Sequence, residues 1–300
     1  MIILNRTLAI ILVALAGVMW ASNGIAVQDF FKYSYKSAID LTNIRMIGAG
    51  ILLLIVAVIN GKLKKSLSVL KMYPRLWIDI IIYGIFGMVI MQFTYFEAIS
   101  IGGAAATTVI QYSCPAIVVI FDSLYYKRLP QRGEVIAVIL AITGVLLLVT
   151  GGNLDKLIVP LACVFWSLAS GTFFAFSAIY PKHLFAAQID AYFLTGMSML
   201  IGGIFSFVLV DEINWLPFFD PDVIFDVGWI IVIGTVGAFL LFNAGLIYLT
   251  PEEASVTAAT EPVASVIISY LVFGTIFGFI EMIGIFLVIF AILIPVFIDR

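Results

Sequence analysis

The sequence is poor in charged residues, in cysteine and in histidine. Only 11% of its 300 residues are charged, whereas a soluble protein carries about 25%. This shortage excludes a soluble globular domain, which needs more polar surface, and the composition also excludes a disordered chain. The two cysteines, Cys114 and Cys163, lie inside apolar runs and indicate no disulfide framework. A net charge of −3 provides no basic field, so we do not expect a nucleic-acid partner.

Residues that carry catalysis are equally scarce. The one histidine, His183, stands beside Lys182 between two apolar runs, where a solvated loop residue is the simpler interpretation. The sequence contains no His and Cys cluster with metal-ligand spacing. Gly61-Lys62 lacks the upstream glycine of a phosphate-binding loop. We therefore predict no enzyme activity, no cofactor and no nucleotide-driven step.

Long apolar runs fill most of the chain, which is 63% hydrophobic with a mean hydropathy of +1.20. A bilayer core about 30 Å thick takes about 20 helical residues per crossing. The runs are continuous, which predicts helices, because the strands of a membrane barrel alternate in hydrophobicity. The sequence thus predicts an all-α integral membrane protein with ten transmembrane helices, at residues 7–27, 38–59, 76–98, 104–126, 132–149, 157–179, 190–210, 227–249, 254–273 and 280–298.

The basic residues between the runs predict the orientation. If the N-terminus is cytoplasmic, most Lys and Arg residues of the loops lie inside, and only Lys32, Lys36 and Lys156 lie outside. This is the positive-inside distribution of a multi-pass protein. We therefore predict a plasma-membrane protein, in a prokaryote the inner membrane, with both termini in the cytoplasm.

The two halves of the chain repeat each other. Pro115 and Pro262 are 147 residues apart, and the same interval separates Glu134 from Glu281. Chance similarity among apolar helices is the alternative, but it does not account for a framework that continues without a gap. Five helices per half is an odd number, so the second half inserts upside down. We predict an inverted repeat, residues 1–151 and 152–300, which together form one membrane domain with substrate near the midplane.

These residues resemble the EamA-type transporters of the drug/metabolite transporter superfamily. The resemblance covers about residues 7–298. It is carried by Ala98-Ile99, Ala104, Gln111 and Pro115 in the first half, and by Leu246, Pro251, Ala254, Glu261-Pro262-Val263, Glu281 and Gly284 in the second. It implies a five-plus-five inverted repeat that transports small molecules. Members of this superfamily move amino acids, sugars, nucleobases and drugs, so the resemblance does not select a substrate.

Substrate-binding residues are predicted on the first, fourth, sixth and ninth helices, which surround the axis of an inverted repeat. They are Trp20, Ser22, Asn23, Gln111, Tyr112, Trp166, Ser170, Thr257, Thr260 and Glu261. Amides, hydroxyls and aromatic faces suit a small amphipathic molecule, whereas a polyanion calls for clustered Lys or Arg. The predicted substrate is a neutral or zwitterionic metabolite such as an amino acid. For the two tryptophans, core packing is the alternative.

Charged side chains within the predicted helices require an explanation, because a buried charge is costly in a membrane. Arg45 is suited to bind a substrate carboxylate, but a structural ion pair with Glu97, at the same depth, is the simpler interpretation. Glu261 is the one carboxylate predicted near the midplane. It is a candidate to carry a coupled proton or to meet a substrate ammonium, and an architectural role is the alternative.

Pro115 and Pro262 each remove one backbone hydrogen bond from equivalent helices. We predict that these kinks serve gating in alternating access, with a static kink as the alternative. Expected partners are a small-molecule substrate and the lipid bilayer, with the proton as a candidate coupling ion.

Two other function classes remain open. One is a multidrug or lipid transporter of the same superfamily, and the other is a non-transport membrane assembly protein. Small multidrug exporters of this superfamily use a carboxylate on their first helix, and residues 7–27 contain none, which disfavours the first class.

Overall fold

A computed structural model describes residues 6–114, 117, 119, 129–210, 215–246, 248–249 and 251–298. All regular structure in these residues is helical, as predicted. A helix lies at each predicted position: α1 Arg6–Tyr33, α2 Ala38–Ile59, α3 Leu76–Gly102, α4 beginning with Ala104–Gln111, α5 Arg132–Thr150, α6 Leu161–Ile179, α7 Ala191–Ser206, α8 Ile224–Leu246, α9 Pro251–Ala258 with Thr260–Phe273, and α10 Phe279–Ile298. In the described residues eight helices are long and apolar enough to cross a bilayer, and α10 contains a shorter apolar stretch.

The α1 helix runs beyond its predicted end at residue 27 and reaches Tyr33. Polar residues end the apolar run at this point, but tertiary contacts continue the helix. Gln28 Oε1 accepts a hydrogen bond of 2.7 Å from the backbone N–H of Ala104, at the start of α4. Phe30 is fully buried and stacks on Phe218 with 5.7 Å between ring centroids.

A helix at Lys62–Met72 lies between α2 and α3, where the sequence analysis predicted only a loop. Leu63, Leu67 and Leu70 follow each other at helical spacing and pack against the core under α2 and α7. The lysines of this helix are exposed. The segment is too short to span a bilayer, so a search for long apolar runs passes over it.

Equivalent helices of the two halves run antiparallel, as an inverted repeat requires. In α2 and α7, the Asn43 amide donates to the Gly203 carbonyl oxygen at 2.9 Å, near the start of one helix and the end of the other. Further along, a Cβ on Gly50 would lie 2.9 Å from Leu200 N, and one on Gly196 would lie 3.0 Å from Leu54 N. Each contact is repeated with the two helices exchanged, as expected where two antiparallel helices cross at a glycine of each.

The α5 and α10 helices form a second antiparallel pair with an even closer approach. A Cβ on Gly144 would lie 2.6 Å from the Gly284 carbonyl oxygen, and one on Gly284 would lie 2.5 Å from that of Gly144. Glycine permits this contact because small residues let helix backbones approach in a membrane.

Helices α3, α4, α8 and α9 depart from regular α geometry at matching positions. The first part of α4 ends at Gln111 and the first part of α9 ends at Ala258, again 147 residues apart. Both α3 and α8 contain a π-helical stretch, at Tyr83–Ile90 and Trp229–Gly237. These irregular segments frame the candidate site.

Candidate functional site

The break in α9 releases a backbone carbonyl inside the protein. Pro262 has no N–H, so it cannot donate to the carbonyl of Ala258 four residues earlier. The Tyr112 hydroxyl of α4 lies 3.3 Å from that carbonyl oxygen and 2.8 Å from Glu261 Oε2. Glu261 is only 7% exposed, and Tyr112 is also buried. One tyrosine of the first half therefore serves both polar groups at the break of the second half.

Hydroxyl groups extend this cluster between α3, α4 and α9. The hydroxyls of Tyr95 and Thr108 are 2.7 Å apart, and Ser265 Oγ donates to Thr108 Oγ1 at 3.4 Å. A Cβ on Gly24 of α1 would lie 3.0 Å from the Tyr95 hydroxyl, so α1 closes directly over it. All of these residues are buried, so polar groups replace water as hydrogen-bond partners.

Arg45 lies in the interior of the protein, with 4% of its surface exposed. Its Nε donates to Thr235 Oγ1 at 2.8 Å, and its guanidinium carbon lies 5.2 Å from the centroid of the Phe96 ring. Thr235 belongs to the π-helical stretch of α8 and donates in turn to the Ile230 carbonyl oxygen at 2.7 Å. Arg45 therefore joins α2 of the first half to α8 of the second.

The ion pair that the sequence analysis considered for Arg45 is not formed. Glu97 is half-buried on α3, and no salt bridge joins it to Arg45, although both residues belong to the described part of the chain. The sequence predicts Arg45 and Glu97 at the same depth in the membrane, but depth does not determine the direction in which a side chain points around its helix. Arg45 instead lies within electrostatic range of Tyr95 and Glu261.

Two buried polar atoms beside α8 have no hydrogen-bond partner among the described residues. They are Arg45 Nη1 and Asn23 Oδ1. Asn23 is 3% exposed and packs on the π-helical stretch, where a Cβ on Gly234 would lie 2.7 Å from its Oδ1. Gly234 precedes Thr235, the partner of Arg45. One unused donor and one unused acceptor therefore flank adjacent residues of α8.

Gln111 lies in a second polar group, between α3, α4 and α6. Its Nε2 donates to Ser170 Oγ at 2.8 Å, and Ser170 Oγ donates to the Met91 carbonyl oxygen at 3.0 Å. These two predicted site residues are thus brought together, and their bonds also hold three helices of both halves in register.

The other predicted residues are distributed around the molecule. Trp20 packs against Phe239 and Phe242 of α8, with ring centroids 5.6 and 5.2 Å apart, whereas Trp166 packs against Phe93 and Phe165. Trp166 also borders an apolar depression of about 550 Å³ on the outer face of α6.

The hydroxyl groups among the predicted residues bond to nearby helices. Ser22 Oγ accepts from Trp229 Nε1 at 3.0 Å, so it joins α1 to α8. Thr260 Oγ1 donates to the Ala14 carbonyl oxygen at 3.1 Å, and Thr257 Oγ1 donates within its own helix to that of Glu253. Pro115, predicted as a gating residue, lies outside the described residues.

Comparison with known proteins identifies the family. The model of the EamA-like transporter family matches residues 7–150 and again residues 161–297. The chain belongs to the EamA-like transporter family. It is therefore a multi-pass membrane transporter, and membership points away from an enzyme.

This EamA-like protein is similar to one curated relative and to a solved structure. It is 29% identical to the uncharacterized inner membrane transporter YicL of Salmonella typhimurium over 286 residues, which cover 92% of this chain and 91% of the relative. A crystal structure with 16% identity superposes with a TM-score of 0.63 and covers 97% of each chain. At that identity the superposition supports the fold alone.

The sequence of this EamA-like transporter did not single out Tyr95, Thr235 or Ser265 as site residues. Their signal is weak, because a single hydroxyl within an apolar helix is common in membrane proteins and often serves helix packing. Only the tertiary structure shows that Thr235 bonds to Arg45 and that Tyr95 and Ser265 both meet Thr108.

Proposed function

We propose that this EamA-like transporter moves a small neutral or zwitterionic metabolite, such as an amino acid, across the plasma membrane. The observation that carries the proposal is the buried polar cluster between the halves. It contains one cationic group, Arg45, and one carboxylate, Glu261, from different halves and without a direct ion pair between them. These two residues are both described, and each is bonded to a neutral hydroxyl.

The charges in the cluster are balanced, which favours a substrate that is itself neutral or zwitterionic. A polyanion such as a nucleotide sugar requires several Lys or Arg residues around its phosphates. A zwitterion offers a carboxylate and an ammonium, each of which finds an opposite charge here. The apolar walls around the cluster suit the remainder of a small metabolite.

The break in α9 supplies an element for alternating access, with Tyr112 as the contact that changes. When Glu261 is ionised, its carboxylate accepts a hydrogen bond from the Tyr112 hydroxyl. When Glu261 is protonated, that hydroxyl is free for the Ala258 carbonyl oxygen, which Pro262 leaves without its helical donor. Gain or loss of a proton at Glu261 thereby changes the contact between Tyr112 of α4 and the break in α9. The proton is therefore our proposed coupling ion. A gradient, rather than a nucleotide, drives the cycle.

We further propose that the N-terminus and the Lys62–Met72 helix lie on the cytoplasmic side. The exposed lysines of this helix, next to its buried leucines, suit the interface with an anionic membrane surface. The outer side then contains the stacked Phe30 and Phe218.

Flux into liposomes tests the proposal. Purified protein is reconstituted, and uptake of a radiolabelled mixture of the proteinogenic amino acids is followed with and without an imposed proton gradient. We expect saturable uptake above that of protein-free liposomes. Flux of cationic dyes without flux of amino acids would instead assign the protein to multidrug transport, and absence of both would leave an assembly role.

A further inference from the structure

We propose that Arg45 is the carboxylate-binding residue of the transport site, with Thr235 and Asn23 beside it, and that the substrate therefore carries a free carboxylate. This inference rests on the proposed transport function and names the chemistry of its substrate. It starts from a guanidinium that is buried, charged and only partly bonded.

The described residues around Arg45 do not supply the partners that a buried guanidinium needs. A guanidinium has five N–H donors in a planar fork. Nε donates a hydrogen bond to Thr235 Oγ1, and the centroid of the Phe96 ring lies 5.2 Å from the guanidinium carbon. Nη1 has no hydrogen-bond partner among the described residues. A carboxylate binds such a fork with two parallel hydrogen bonds, which is the geometry that distinguishes Arg from Lys.

No carboxylate of the described residues fills this role. Glu261 Oε2 is bonded to Tyr112, and Glu97 makes no salt bridge with Arg45. A charged residue inside a membrane domain costs free energy unless it is paired, and it usually marks a substrate or ion pathway. A ligand carboxylate is the partner that satisfies Nη1 and neutralises the charge.

The side chain of Asn23 indicates that the same ligand carries a second polar group, a hydrogen-bond donor. Its buried Oδ1 is an acceptor without a partner in the described part of the chain, and it lies against Gly234, the neighbour of Thr235. An N–H of the ligand, such as an ammonium, satisfies this oxygen. The unused donor and acceptor together favour a zwitterion over a simple carboxylic acid.

The test compares probes that differ by one group. Binding of leucine, of leucinamide (no carboxylate) and of 4-methylpentanoate (no ammonium) is measured by thermal shift on the purified protein, and their flux is measured in liposomes. The proteinogenic amino acid mixture and its amidated counterpart are run in parallel, so that the result does not depend on one side chain. We expect the amino acids to bind and the amides to bind on the order of 10- to 100-fold more weakly, as for a lost hydrogen bond to a charged group.

Variants assign that preference to Arg45. Arg45→Gln should lose the preference for acid over amide, and Arg45→Lys should weaken binding but keep the preference. Arg75→Gln, a change at an exposed loop arginine, is the matched control and should behave as wild type. If Arg45→Gln does not fold, Arg45→Lys and Thr235→Val provide the measurement, because both keep the positive charge.

The outcomes separate this inference from the proposed function. Transport of amino acids with the acid preference intact in Arg45→Gln, or with wild-type affinity in Arg45→Lys, would overturn the role of Arg45 and leave the proposed function standing. Equal binding of amides and acids by the wild type would also overturn it. Absence of both binding and flux for all the amino acids would overturn the proposed function as well.

Discussion

Replacement of Gly284 by alanine tests whether the contact between α5 and α10 holds the two halves together. The added Cβ would lie 2.5 Å from the Gly144 carbonyl oxygen and 2.7 Å from Leu148 N. Both are backbone atoms, so no side-chain rotation relieves the clash. The helices must separate by about 0.5–1 Å, a gap that forfeits a quarter to a half of the dispersion energy of the atoms in contact.

The size of the effect follows from two opposing terms. Overpacking a tight contact costs about 1–3 kcal/mol, whereas replacing a helical glycine by alanine gains about 1 kcal/mol of helix propensity. Gly228→Ala isolates the second term, because Gly228 lies in α8 and a Cβ there meets nothing within 4 Å. The propensity gain is common to both variants, so the difference in unfolding free energy between them should be about 1–3 kcal/mol.

Reversible unfolding of the purified protein in mixed micelles, by titration with SDS, measures this difference. Gly144→Ala should behave like Gly284→Ala, since the two glycines meet in one contact. The double variant should cost less than the two single changes combined, because the first change has already separated the helices. Equal stability of Gly284→Ala and Gly228→Ala would refute the reasoning.

Four further predictions concern the site and the topology. Tyr112→Phe removes the donor to the Glu261 carboxylate and should lower the free energy of unfolding by about 1.5–3 kcal/mol when Glu261 is ionised. Unfolding titrations at acid and alkaline pH should show the larger loss at alkaline pH. A loss that does not depend on pH would contradict the role of the ionised carboxylate. Glu261→Gln should abolish the dependence of liposome uptake on the proton gradient, and its persistence would exclude Glu261 as the proton carrier. Pro262→Ala restores a backbone donor to the break in α9, so it should slow transport on the order of tenfold, about 1.4 kcal/mol of barrier, with little change in substrate binding. Unchanged flux would support the alternative that the kink is static and has no role in gating. In intact cells, Lys64→Cys should resist impermeant thiol reagents and Asp222→Cys should react, and the reverse labelling would invert the proposed orientation.

Inside a single helix, the sequence was a reliable guide. It predicted α2 with both of its ends, and it predicted the start of α5 at Arg132, where the Glu134 side chain accepts from the Gln131 N–H at 2.7 Å. Such features depend on residues within one or two turns of each other, and burial of continuous apolar runs in a bilayer leaves few alternatives. The 147-residue interval of the sequence repeat is also found in the structure, since the breaks of α4 and α9 are separated by that interval.

Contacts between helices required the tertiary structure. Arg45 bonds to Thr235 of the other half rather than to Glu97, and Trp20 and Trp166 pack in separate aromatic groups. Successive residues of a helix are rotated by about 100°, so a small uncertainty in helix rotation selects a different neighbour.

The sequence by itself therefore determined the membrane class, the positions of the ten long apolar runs and the repeat, because each follows from composition and from spacing along the chain, and the resemblance of its motifs predicted the family. The tertiary structure alone decided which polar groups meet. It brought Tyr112 to Glu261 and left Arg45 Nη1 without a partner among the described residues, because these relations depend on how helices from opposite halves are rotated against each other.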